Sequence, residues 1–435
     1  MTSVVDDASQ PTAPSAPKDR DYPLSRVPRS ARHGTLAIAV VIAGFFFYTP
    51  TMVAGGQVVT AFPFGEFLGL AAVATVVLAA YIALLGVVSE RTGLTTALVS
   101  RLILGKAGGK WASFVLGGTQ LGWYGVSLGV LASLVEASTG FTAGWLVMIV
   151  GGVLMASTAY FGFKGIEILS WVSVPLMMVL CLWVTARSVG EAGGWDELLA
   201  GGGTEAGSIG AGTAITMMIA TFISGGSQIG NWTRFSAGAT KTFLLTLVSV
   251  LVVQFAMLFF GGVGVAAFGE GDFVDVLLAM GIVGLALFLL LTNLWTTNDN
   301  TAYAFAVAGS ELFGKPDKRP FVVGGVIVSI ALALTGIADH LVQFLSLLGV
   351  VIPPLGGAII GTFFLVWRGK DPGTDLSEVP MVRVGGLVAY LAGAAAALAS
   401  TYGGFGSPAI LGIVVAAAAA PVAAAVERRG AAPAR

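Results

Sequence analysis

Long apolar runs alternate with short polar connections along the chain, at roughly 35–60, 66–89, 111–136, 142–163, 168–186, 210–230, 242–268, 276–310, 320–338, 341–367, 384–401 and 408–427. A bilayer core is crossed by a helix of about 20 apolar residues, so the pattern predicts twelve transmembrane helices. The stretch 274–310 is longer than one span needs and leaves room for a short outer helix before the eighth span. An N-terminus in the cytosol places Arg20, Arg26, Arg29, Arg32, Arg91, Arg101, Lys106, Lys110, Lys164, Arg234, Lys241, Lys315, Lys318, Arg319, Arg368, Lys370, Arg383, Arg428 and Arg429 inside and leaves Arg187 alone outside. Glu191, Asp196, Glu197, Glu205, Glu270 and Asp272 flank the outer connections instead. Such one-sided basic residues orient the chain with both termini cytosolic.

Composition agrees: 56% of residues are hydrophobic, 10% are charged and the mean hydropathy is +0.90, whereas soluble domains carry about 25% charge. The expectation is an all-α, multi-pass protein of the cell membrane. Residues 1–34 are rich in Ser, Pro and charge and lack an apolar core, so they read as a disordered cytosolic tail and not as a signal peptide; residues 428–435 form a second cytosolic tail. The single cysteine, Cys181, lies in an apolar segment and suits packing. A net charge of -1 gives no reason to expect a nucleic-acid partner. With only two histidines, His33 and His340, and no clustered carboxylates, the chain has no constellation for an enzyme and no resident cofactor.

Polar side chains kept inside hydrocarbon are costly and mark functional positions. In the first span, AGFFFYTPTMVAGG (43–56) contains Pro50, which removes a backbone donor, and flanking glycines. In the sixth, TFISGGSQIGN (221–231) sets two adjacent glycines among hydroxyls and amides. Both read as broken helices. Packing alone could retain either one, but their matched positions, first in each of two five-span halves, are those of a transporter built from inverted repeats. In the third span, LGGTQLGWYGV (116–126) puts Gln120 and Trp123 on one helix face, with Gly118 and Gly122 for close helix contact. In the eighth, NLWTTNDNTAY (293–303) aligns Asn293, Thr296, Thr297 and Asn300 in one stripe. Two threonine hydroxyls near a freed carbonyl offer oxygen ligands for a small hard cation, for which sodium is the natural candidate. Back-bonding of threonine to its own helix is the competing use. Asp299 reads equally as a proton or ion site and as a structural carboxylate.

VPRSARHG before the first span, LGGTQLGWYGV, TFISGG, NLWTTNDNTAYA and IPPLGG occur in order from about Val27 to past Pro354. On these motifs the chain resembles the bacterial cytosine permeases of the nucleobase-cation symporter family. That resemblance implies the leucine-transporter fold: a first five-helix repeat over 35–186, an inverted second repeat over 210–367 and two peripheral helices over 384–427. It implies that the carbonyls of Gly44, Phe47 and Asn293 and the hydroxyls of Thr296 and Thr297 bind sodium. It implies too that Gln120 hydrogen-bonds the base, that Trp123 and Phe222 sandwich it, and that Thr221 and Ser224 touch its polar edge. Tyr48 and Thr49 would close the site from the first helix, and Asn300 would add a substrate contact. Tyr48-Thr49-Pro50 departs from the smaller residues expected there, and its bulk could turn preference toward another pyrimidine, a purine or a hydantoin-like ring. The implied partners are a nucleobase, sodium and the bilayer, with the chain acting as a monomer. An amino-acid symporter on the same fold, or a receptor that binds without transporting, are the remaining alternatives.

Overall fold

A computed structural model describes residues 21–32, 34–161, 163–268, 280–281 and 283–430. Glu270, Asp272, His33, the first twenty residues of the tail and the region of the suggested outer helix before 280 lie outside the described residues. The principal helices are α1 (Thr35–Phe46), α2 (Thr49–Ala61), α3 (Phe64–Thr92), α4 (Thr96–Thr139), α5 (Gly144–Phe161), α6 (Phe163–Glu191), α7 (Trp195–Ala200), α8 (Ala211–Ser227), α9 (Gly230–Thr233), α10 (Ala239–Phe268), α11 (Val283–Phe313), α12 (Arg319–Leu334), α13 (Leu341–Val351), α14 (Pro353–Ile360), α15 (Val384–Gly403) and α16 (Pro408–Gly430). Among the described residues, seven helices are long and apolar enough to cross a bilayer, or eight with the bent α1–α2 pair counted as one span. The shorter apolar helices Gly144–Tyr160 and Arg319–Leu334 accompany them.

The breaks follow from local chemistry. Helix α1 ends at Phe46, Phe47 leaves helical geometry, Tyr48 is extended, and Pro50 lies in the first turn of α2, whose axis is bent 52° from that of α1. Proline suits a first turn, where its missing N–H has no helical partner. In the sixth segment the two glycines remain helical; α8 runs through Ser227 and the interruption falls at Gln228 and Ile229. Gly225 and Gly226 serve close packing, since an added Cβ would meet the Phe45 ring at 2.9 Å and Ile82 at 2.3 Å. Helix α4 turns sharply at Gly105 (φ 91°), a conformation that favours glycine. The amides freed there donate to another chain segment, Lys106 N to Pro380 O and Ala107 N to Met381 O, both at 2.9 Å.

Helices α2 and α10 approach almost to backbone contact. A Cβ on Gly261 would stand 1.8 Å from the Met52 carbonyl oxygen, and one on Gly55 would stand 2.3 Å from that of Leu258. At the end of the bundle that gathers the basic connections, residues 21–32 follow a defined path instead of the disordered one expected for the whole of 1–34. The fully buried Arg234 guanidinium donates to the carbonyls of Tyr22 (2.9 Å) and Asp21 (2.6 Å), while Lys318 pairs with the Asp21 carboxylate. Arg26 pairs with Asp371 and donates to Thr92 O (2.7 Å), and Arg32 pairs with Glu90 (3.0 Å). Charges that look solvated in the sequence find carbonyls at helix ends and carboxylates on neighbouring connections.

Candidate functional site

Helices α4 and α8 bring the predicted polar edge together. Ser224 Oγ accepts hydrogen bonds from both Gln120 Nε2 (3.2 Å) and Trp123 Nε1 (2.9 Å). All three side chains are buried. A buried donor without an acceptor costs about 1–3 kcal/mol, so one serine oxygen holds two groups that would otherwise be unpaired. Thr221 lies one turn before Ser224; its hydroxyl accepts from Gln254 Nε2 (2.9 Å) and donates to Met218 O (2.8 Å). Gln228, at the helix break, donates to Leu116 O (3.0 Å) and fixes the broken end of α8 against α4.

The aromatic residues are arranged less simply than a two-sided sandwich. Tyr48 sits between the two expected walls, edge-on to Trp123 (5.3 Å, 77°) and to Phe222 (6.2 Å, 85°). Its hydroxyl contacts Trp123 O (3.2 Å) and Ser127 Oγ (3.0 Å), so both ring and hydroxyl are held. Phe46 stacks on Phe222 at 3.8 Å. Phe45, Tyr48, Gln120, Trp123, Thr221, Phe222, Gly225, Thr297 and Thr301 surround a cavity of only about 10 Å³, room for about one water molecule. The site is closed around its own side chains.

On the other side of the α1–α2 break lies a cluster of oxygens. The Phe47 carbonyl accepts from Thr297 Oγ1 (2.9 Å) and from the Asn293 side-chain amide, and Thr49 Oγ1 donates to Asn293 Oδ1 (3.1 Å). Thr296 instead turns its hydroxyl back to Asn293 O (2.8 Å) and Thr292 O (3.2 Å), which is the back-bonding the sequence also allowed. That bond still places a hydroxyl and the Asn293 carbonyl side by side. Gly44 is buried in the last turn of α1. Around Phe47 O the clustered groups are neutral oxygens and amides of Asn293, Thr297 and Thr49; the hydrogen bonds that join them among the described residues do not include the Gly44 carbonyl.

Asn300 stands apart from the cavity lining: its amide donates to Thr296 O (2.9 Å), and its Oδ1 has no partner among the described residues. Asp299 is fully buried, its carboxylate beside the Thr158 side chain. Ser127, Phe45, Phe46, Thr301 and Gln254 join the site only in the structure. Ser127 follows Trp123 by one helical turn, a spacing that signals a shared face; Gln254 comes from α10, and nothing in sequence order joins it to Thr221.

A bent, interrupted first helix beside a buried polar and aromatic site is the arrangement of membrane transporters with discontinuous helices. Residues 26–424 match the family described as permease for cytosine/purines, uracil, thiamine, allantoin. The cytosine permeases of Escherichia coli K12 and of Escherichia coli O157:H7 are each 32% identical over 348 residues, covering 80% of this chain and 82% of theirs. The chain belongs to this permease family and is a multi-pass membrane transport protein, not an enzyme. Its fold is shared with Mhp1, a nucleobase-cation-symport-1 family transporter solved in a closed conformation with bromovinylhydantoin bound: TM-score 0.79, 18% identity, 93% of this chain and 95% of that one. A Na+-coupled sialic acid symporter, solved substrate-bound and outward-open, aligns with TM-score 0.66 and 13% identity over 91% of this chain and 90% of its own.

Proposed function

We propose that the protein imports cytosine, or a closely related nucleobase, together with sodium by alternating access. The observation that carries this reading is the Ser224 oxygen shared by Gln120 and Trp123, beside an aromatic slot that Tyr48 fills in this closed form. A flat base with a donor and acceptor rim can exchange hydrogen bonds with Gln120 and Ser224 and stack on Trp123 and Phe222. Stacking contributes about 1–3 kcal/mol per base and tolerates any base; selection falls to the polar rim, which can reject an analogue lacking the matching edge by roughly 10⁴-fold. Thr221, Tyr48, Thr49 and Asn300 complete the substrate side of the proposal, and Tyr48 must leave the slot for a base to enter.

Sodium would sit among the carbonyls of Gly44, Phe47 and Asn293 and the hydroxyls of Thr296 and Thr297. It would replace the hydrogen bonds that now join α1 to α11, tying the broken first helix to the eighth span. Each ligand then favours the conformation that binds the other. The full architecture we propose has twelve spans, inverted repeats over 35–186 and 210–367, peripheral helices over 384–427, both termini in the cytosol, and a monomer in the cell membrane. Proton coupling through Asp299 is the main variant.

The test is uptake of labelled cytosine into proteoliposomes of the purified protein, with an inward sodium gradient or with choline in its place. Sodium-dependent uptake that disappears in Trp123→Ala supports the reading. Uptake indifferent to sodium removes the coupling ion, and absence of cytosine uptake with competition by another ring reassigns the substrate.

A further inference from the structure

A second cavity, of about 230 Å³, lies at the basic end of the bundle and shares no residue with the site above. Leu102 and Ile103 from α4, Trp367 and Val366 beyond α14, and Ala420 and Ala424 of α16 make its apolar walls. Its floor is held by the elbow at Gly105, where Arg383 N donates to Leu104 O (3.0 Å) beside the bonds to Pro380 and Met381. Two opposite charges line it, Arg383 and Glu427, and no ion pair joins them among the described residues. Arg383 is half-buried, and its Nε is buried with no hydrogen-bond acceptor among the described residues. Glu427, an exposed residue at the rim, accepts from Val384 N (3.2 Å) and Gly385 N (3.3 Å), which holds its carboxylate at the cavity mouth with lone pairs to spare.

The buried guanidinium N–H asks for an anionic acceptor, and the carboxylate at the exposed rim can pair with a cation carried by the same ligand. A ligand of one charge would engage one of them; a zwitterion engages both. The surroundings choose its source. Val422 and Val426, one turn apart on α16, are 67% and 65% exposed, and Leu365 is 57% exposed. These apolar side chains face outward on a membrane protein, where acyl chains can cover them, and the cavity wall carries Trp367, a residue favoured at the membrane–water boundary.

We infer that this cavity binds the headgroup of an aminophospholipid, with the lipid phosphate on Arg383 and its primary ammonium on Glu427. The headgroup would pin the α4 elbow to the ends of α15 and α16. A phosphocholine headgroup lacks N–H donors for Glu427, and a phosphoglycerol headgroup lacks the cation.

The test uses full-length protein, delipidated in detergent and then given phosphatidylethanolamine, phosphatidylglycerol or phosphatidylcholine. Bound lipid is counted by native mass spectrometry and thermal unfolding is followed in parallel. Phosphatidylethanolamine is expected to be retained about tenfold better than the other two, the size of one hydrogen bond to a charged group. Arg383→Gln should abolish that retention, and Glu427→Gln should lower it to the level of phosphatidylglycerol, with both variants unfolding at the wild-type temperature when no lipid is present. Equal retention by wild type and Arg383→Gln overturns the site. Equal retention of all three lipids overturns the role of Glu427. Stabilisation by inorganic phosphate or by glycerophosphoethanolamine as large as that by the lipid would make it a site for a soluble ion or metabolite and overturn the membrane source. If a variant unfolds early without lipid, Arg383→Lys, which keeps the charge, decides: restored phosphatidylethanolamine binding sustains the site, and lost binding in a stably folded Arg383→Lys rejects it.

Discussion

Thr297 is where the proposed coupling can be tested most directly. Its hydroxyl donates to Phe47 O across 2.9 Å, linking α11 to the break between α1 and α2, and it also borders the closed cavity. Thr297→Ala removes one proposed sodium ligand and keeps the Cβ and the helix. An interaction between a hydroxyl and a charged group contributes about 1.5–3 kcal/mol net, so sodium affinity should fall by roughly 10- to 150-fold. If sodium and base are linked, apparent base affinity measured well below sodium saturation should fall with it, and raising sodium should restore it. Thr297→Ser keeps the oxygen and should behave like wild type. The assay is equilibrium binding of labelled cytosine across a sodium series with constant ionic strength. A Thr297→Ala protein whose sodium dependence shifts while base affinity at low sodium stays unchanged would reject the coupling. One whose base affinity falls equally at every sodium concentration would instead make Thr297 a contact to the base.

Four further changes probe separate parts of the structure. Ser224→Ala leaves Gln120 Nε2 and Trp123 Nε1 without their shared acceptor, so base affinity should fall about tenfold while stabilisation by sodium alone persists in a thermal assay. Tyr48→Phe removes the hydroxyl contacts to Trp123 O and Ser127; the freed ring should yield the slot more readily and cytosine should bind more tightly, which a competition curve reads directly. Gly261→Ala drives a Cβ to 1.8 Å from Met52 O and should cost at least the roughly 1–3 kcal/mol of ordinary overpacking, seen as lower folded yield, whereas Gly69→Ala, with nothing within 4 Å, should be neutral. Asp299→Asn keeps the shape of a buried side chain that no salt bridge reaches among the described residues; sodium-driven cytosine accumulation should survive, and loss of accumulation with binding intact would assign the coupling ion to this carboxylate.

Helix content and the polar stripe of α11 were legible because both are periodic: hydrocarbon demands apolar runs, and one helical face repeats every three or four residues. The meeting of Gln120, Trp123 and Ser224 was legible only through the family resemblance, since spacing alone cannot say that the third span faces the sixth. Two features escaped both routes for the same physical reason. The basic N-terminal stretch has the composition of a disordered tail, yet Arg234 and Lys318, more than 200 residues away, supply its partners. Tyr48 reads in sequence as a residue that closes the site from the first helix; that its hydroxyl meets Trp123 O and Ser127 and its ring lies edge-on to both Trp123 and Phe222 needs tertiary structure.

That placement of Tyr48 bears on how the permease couples its steps. The side chain belongs to the same break whose preceding carbonyl, that of Phe47, is held by Thr297 and Asn293. A cation that pulls this carbonyl into its own coordination shell must move the peptide that joins Phe47 to Tyr48. The ring in the proposed base slot and the oxygen proposed as a sodium ligand therefore belong to consecutive residues on one short non-helical segment. On the proposed function, sodium need not reach the base through any long relay: a shift in the Phe47–Tyr48 peptide is enough to let one ligand prepare the site of the other.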